Sequence, residues 1–168
     1  MKAWQLGVAV IGVGAVSLVA LGVGLWAYGG SLPESHQARV EVHIDADPTA
    51  VRARVADWAN ADSWKHGVTH IEALPPVDGH PAFRECTDEC IDFVVERSDD
   101  VVVTRILDHP DFGGTWTWHF HPDEGGTRVE LVEDGEITNP IFRVFAHHVF
   151  GLDTNIRATT ADLAASFR

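Results

Sequence analysis

Two acids, an arginine, a pair of histidines and a pair of cysteines have the types and spacing for chemistry in this sequence. Glu85 stands two positions after Phe83 in "AFRECTDECIDFVVER", and Glu133 two positions after Leu131 in "GTRVELVEDGEI". Side chains two apart on a strand share a face, so each acid lies on the side of its apolar neighbours. A carboxyl turned toward an apolar interior has a raised pKa and can act as acid or base, or orient a ligand hydroxyl. The competing reading leaves both acids at a rim in water, since unpaired buried carboxylates are rare. Arg143, in "NPIFRVFAHHVFG", or a histidine is the natural second group for either acid. His119 and His121 share one strand face, but no third metal ligand is evident beside them. His147 and His148 are adjacent on a helix and point apart. No metal and no cofactor is expected. A Ser-His-Asp signature, a phosphate-binding glycine loop and a dinucleotide fingerprint are all lacking.

Cys86-x-x-x-Cys90 is too wide for a redox CxxC motif and has no second pair for zinc. If Thr87, Asp88 and Glu89 form a hairpin loop, Cys86 faces Cys90, Glu85 faces Ile91, Arg84 faces Asp92 and Phe83 faces Phe93. Opposite charges then meet on one face and rings on the other. The two sulphurs come within reach of a disulfide. An oxidised pair would favour export of the domain. Two free thiols are the alternative.

These groups need a scaffold of strands to place them. In "DFGGTWTWHFHP", Trp116, Trp118 and Phe120 occupy one strand face. Val129 and Leu131 extend that face on the next strand, and Phe83, Phe93 and Val95 extend it further along. Phe142, Phe145 and Phe150 are expected to look back at it from the last helix. Such a face is either a filled core or the lining of a cavity. Upstream, Val40, Val42 and Ile44 alternate with Glu41, His43 and Asp45 as a half-buried strand. Asp47 then caps a helix with Pro48 in its first turn, and Val51, Val55 and Trp58 form its apolar stripe. Ala59–Trp64 reads as a second short helix. Strands follow from Val68 to Leu74 and onward, with a turn at Gly125-Gly126 and a bulge expected at Gly135. Asn139 and Pro140 open a last helix, read as one long amphipathic element bent at Gly151.

The N-terminus differs in kind. Leu6–Ala27 is a run of 22 residues without a charge. As a helix it would span about 33 Å, the thickness of a bilayer core. Trp4 flanks one end and Trp26 and Tyr28 the other, as interfacial aromatics do. A signal peptide usually has a shorter apolar region of about 7–15 residues, so an uncleaved anchor is expected. The organisation read from this is an anchor over 1–30, a linker over 31–36 and a domain over 37–168. Lys2 precedes the span while Glu34 follows it, which places the domain outside the cytoplasm. From Ser31 onward there are 11 basic and 25 acidic residues, a net −14. Such a domain should repel nucleic acid.

The segments "DADPTAVRARVADWANADSWKHGV", "FGGTWTWHF", "GTRVELVEDGEI" and "NPIFRVFAHHVFG", in this order, resemble the START-related or SRPBCC superfamily, nearest its polyketide cyclase/dehydrase branch. The resemblance covers about Gln37 to Phe167. It implies an α+β helix-grip fold: a curved antiparallel sheet of about six or seven strands around a long C-terminal helix, with an apolar cavity between them. It implies no single reaction, since that superfamily holds carriers, sensors and some enzymes. The expectation is a single-pass, monomeric membrane protein holding a hydrophobic small molecule or lipid in that cavity. The alternatives are a cyclase/dehydratase-like enzyme using Glu85 or Glu133, or a protein-interaction module without a ligand.

Overall fold

The computed structural model describes residues 19–168. The first part of the expected anchor therefore lies outside the described residues. Residues 19–31 form a helix, α1. Among the described residues no helix is long and apolar enough to cross a membrane.

Seven antiparallel strands make one sheet: β1 (Ser35–Ile44), β2 (His70–Val77), β3 (His80–Cys86), β4 (Cys90–Ser98), β5 (Val102–Leu107), β6 (Phe112–Asp123) and β7 (Gly126–Ile137). Their order is β1-β7-β6-β5-β4-β3-β2, so only β1 is out of sequence, pairing with β7 at one edge. The first strand begins inside the expected linker. Between β1 and β2 lie α2 (Pro48–Ala56) and a 3-10 helix (Trp58–Ser63). The Asp47 carboxylate accepts a hydrogen bond from the Thr49 amide and caps α2, with Pro48 in its first turn.

The core is built as strand alternation dictates. Val40 and Ile44 of β1, Trp118 of β6, and Val129 and Leu131 of β7 are buried on one face. Val51 of α2 closes on them. The chain ends in α4 (Thr154–Ala165), which packs across β1 and β7 through the fully buried Ile156 and Leu163. This is an α+β architecture consistent with the helix grip.

The single long C-terminal helix expected from periodicity is not formed. Instead α3 (Pro140–Phe145) runs into a π-helical turn (Ala146–Phe150) and stops at Gly151. Gly151 has φ 88°, a conformation open to glycine at little cost, and α4 starts afresh after it. Nor does Gly135 bulge its strand. Its pairing with Gly114 and His36 stays in register. What it does is admit the His36 ring, which a Cβ at Gly135 would meet at 2.3 Å.

Candidate functional site

The β3–β4 hairpin has Cys86 opposite Cys90, Glu85 opposite Ile91, Arg84 opposite Asp92 and Phe83 opposite Phe93. Cys86 and Cys90 are joined as a disulfide. This register turns Phe83 and Glu85 to the concave side, where the 3-10 helix covers them. Trp58 stacks on Phe83 with centroids 4.9 Å apart, and Phe83 on Phe93 at 5.3 Å. Trp116 and Trp118 approach from β6, and Val102 and Thr104 from β5.

Together they enclose a cavity of about 60 Å³, lined also by Val55, Ala61, Trp64 and Lys65. Six of its twelve lining residues are aromatic and only two are charged. Those two form an ion pair: Lys65 Nζ donates to Glu85 Oε2 at 2.6 Å. Both side chains are more than four-fifths buried. The pair is therefore the one charged feature of an otherwise apolar wall. Lys65 and Trp64 also line an open outer cleft of about 450 Å³, with Asp62, His66 and Asp162. These two side chains stand between the outer cleft and the interior. The buried indole nitrogen of Trp64 has no hydrogen-bond partner.

Glu133 is buried as well but plays a different part. Its Oε1 accepts the indole N–H of Trp116 at 2.9 Å, fixing that ring at the cavity edge. Its Oε2 is buried without a partner, 3.9 Å from His36 Nε2, too long for a hydrogen bond. Arg143 is not available to either acid. Its guanidinium donates to the carbonyls of Ile137, Thr138 and Leu32 and to the carboxylate of Glu34. It fastens α3 to the chain that enters β1.

The other residues read as lining divide three ways. Phe83, Phe93, Trp116 and Trp118 do line the cavity. Val129 and Leu131 are fully buried core, Val95 is buried, and Phe120 packs against the core. Phe142, Phe145 and Phe150 are 46%, 42% and 66% exposed. The break at Gly151 separates their segment from α4, so they never reach the sheet's concave face. The cavity accordingly lies under α2 and the 3-10 helix, rather than under the C-terminal helix. Trp58 lies on the apolar stripe read for α2 but falls in the 3-10 helix, while Trp64 and Lys65 follow that helix in a turn, where no 3.6-residue period marks an inward side chain. For Trp64 and Lys65 the one signal is the density of tryptophan around "WANADSW". His119 and His121 stack at 6.2 Å on the opposite face. Among the described residues no group of three His, Cys, Asp or Glu could hold a metal ion.

Residues 35–168 match the family described as "Polyketide cyclase / dehydrase and lipid transport". The chain belongs to this family. None of the curated proteins matches the sequence. Solved structures share the polyketide cyclase-family fold at low identity. One is the Zhui aromatase/cyclase from Streptomyces sp. R1128, at 14% identity and TM-score 0.59, covering 80% of this chain and 96% of that one. A START superfamily protein from Mycobacterium smegmatis matches at 14% and 0.61, covering 79% and 97%. Norcoclaurine synthase from Thalictrum flavum, in complex with dopamine and hydroxybenzaldehyde, matches at 8% and 0.62, covering 83% and 90%. At such identities the likeness is one of fold.

Proposed function

We propose that the domain binds a hydrophobic small molecule bearing one polar group, in the cavity under α2 and the 3-10 helix. The observation that carries this reading is the wall itself: six rings interrupted by the single Lys65–Glu85 pair. Rings supply affinity through burial, and a lone polar pair fixes orientation. The cavity of about 60 Å³ has room for roughly two waters, while occupied ligand pockets run to about 300–1,000 Å³. Binding therefore requires the 3-10 helix and Trp64 to move outward. The outer cleft that Lys65 shares with the cavity is the route in. Membrane tethering through the uncharged Leu6–Ala27 would keep the domain where apolar molecules concentrate. The disulfide supports placing the domain outside the cytoplasm.

The test uses the full chain in phosphatidylcholine nanodiscs with 2-naphthol as ligand. Tryptophan emission should be quenched saturably, and Glu85→Gln should weaken the effect about tenfold, the loss of one charge-assisted contact. A wild type showing no more quenching than empty-nanodisc partitioning allows would end this reading.

The Lys65–Glu85 pair also favours a second reading, a cyclase/dehydratase-like enzyme. An acid within hydrogen-bond distance of a second polar group inside an apolar cavity is the arrangement acid–base chemistry needs. Lys65→Met would then abolish turnover of a β-ketone substrate by about 10²–10⁴-fold, while 2-naphthol binding stays within threefold or so of wild type.

A further inference from the structure

We propose that α3 and the π-helical turn, Pro140–Phe150, form a surface that docks on a lipid bilayer beside the point where the N-terminal segment leaves it. The proposal rests on the reading of that segment as a membrane anchor, and adds a second contact on the folded domain.

Every exposed large hydrophobic side chain among the described residues falls in one of two stretches. Val19, Leu21, Val23, Trp26 and Tyr28 belong to α1. Ile141, Phe142, Phe145, Val149 and Phe150 belong to α3 and the turn after it. Elsewhere the domain buries or half-buries its large apolar groups, so the clustering is not a general looseness of packing.

The two stretches are one surface. Gly29 lies so close to Pro140 that a Cβ there would sit 1.9 Å from the Pro140 carbonyl oxygen. The Tyr28 hydroxyl is 2.9 Å from His148 Nε2, and the two rings stack at 5.7 Å. Arg143 reaches the Leu32 carbonyl. The end of α1 is thus fixed against the base of the exposed phenylalanines.

Charge selects the occupant. In a domain of net −14, Ile137 to Leu152 is a run of sixteen residues without an acid, whereas the next longest such run after Ser31, Phe112 to Pro122, has eleven. Its one permanent charge, Arg143, is buried and engaged with Glu34. No acid thus lies within the segment that exposes the rings, and Glu34, half-exposed beside it, is paired with Arg143. Phenylalanines beside an uncharged helical span, with no unpaired permanent charge within their segment, suit the headgroup–acyl boundary. A second copy of the chain could also cover such rings, but the continuity with α1 and with Leu6–Ala27 favours lipid. An anchor alone leaves a domain free to swing; this contact would hold it in one orientation.

The experiment uses the full chain with Val149→Cys carrying an NBD fluorophore, which leaves the phenylalanines in place, reconstituted in phosphatidylcholine vesicles. Glu124→Cys with the same label is the control. It sits in the β6–β7 turn, at the far end of a ten-residue strand from Ser35 and so about 30 Å from the anchor. Doxyl-labelled lipid should quench the label at position 149 about threefold more than that at 124, as contact with the acyl boundary requires. Substituting Phe142, Phe145 and Phe150 together with serine should abolish the difference while the chain still floats with the vesicles. Equal quenching at the two positions in a floating wild type overturns the docking surface and leaves the anchor standing. Self-quenching at 149 that grows with protein-to-lipid ratio, without lipid quenching, overturns it in favour of a second copy. A chain that does not float overturns both.

Discussion

The aromatic residues of this domain lie in two places with opposite fates. At the cavity, Trp58, Phe83 and Phe93 stack nearly parallel under a helical cover, Trp116 lines the same wall, and Trp118 is 3% exposed. On α3 and its turn, Phe142, Phe145 and Phe150 have the same chemistry and face outward. Burial at the first place follows from four strands and a 3-10 helix converging. At the second, one helical segment lies against the end of α1 and the end of β7. The difference teaches that an apolar stripe declares that something covers it, but not what. In one region the cover is the protein's own chain, and in the other it is proposed to be lipid.

The sharpest way to break this contrast is Trp118→Ala against Phe145→Ala. With so little empty space beside the ring, Trp118→Ala should cost about 3–5 kcal/mol by denaturant unfolding in mild detergent. Phe145→Ala should cost under about 0.5 kcal/mol, as surface changes do. Similar losses at the two sites would erase the distinction. Next comes Arg143→Met, which strands buried carbonyls where the outward segment is fastened. It should cost about 2–3 kcal/mol, and limited proteolysis should cut sooner between Gly29 and Ser35. The Cys86–Cys90 bond closes the hairpin that carries Glu85. Its sequence separation of 4 makes the loop short, so reduction should cost only about 2 kcal/mol of chain entropy. That is read as a lowered unfolding midpoint in reductant. A loss well above this would mean that the hairpin also shapes the cavity.

The smallest effect concerns Arg84 and Asp92, on the outer side of the same hairpin. Arg84 hydrogen-bonds the Asp92 carboxylate at 2.6 Å and holds its pKa below the ordinary carboxylate value. The folded chain keeps Asp92 ionised where the unfolded chain takes up a proton. Its stabilisation is complete above the ordinary value near 4 and fades as pH falls through the lowered folded one. Asp92→Asn should flatten that part of the stability–pH curve slightly, with no effect at pH 7 on naphthol quenching. A loss of quenching would tie the outer face to the cavity.

Local chemistry made much of this legible. Asp47-Pro48 and Asn139-Pro140 announce helix starts because cap and first-turn preferences act over a few residues. The hairpin register follows from Arg84, Asp92, Phe83 and Phe93, since one shift would pair charge with ring. The inward turn of Glu85 and Glu133 follows from alternation alone. What could not be read is tertiary. Lys65 finds Glu85 across twenty residues and two elements, and no spacing rule encodes that pairing. Periodicity reads one helix bent at Gly151 where the chain breaks, because a stripe survives a break that the backbone makes with one positive φ. The same pattern points Phe142, Phe145 and Phe150 to the interior, because it records a face and is silent about its neighbour.

The cavity of about 60 Å³ behind Trp64 and Lys65 also has a meaning in time. In the proposed binding mode, a molecule larger than two waters waits for the 3-10 helix to lift. Its observed association rate will then rise with ligand concentration only until opening becomes the slow step, and level off there. The plateau belongs to the protein, so chemically different ligands will share it and differ only in how slowly they depart.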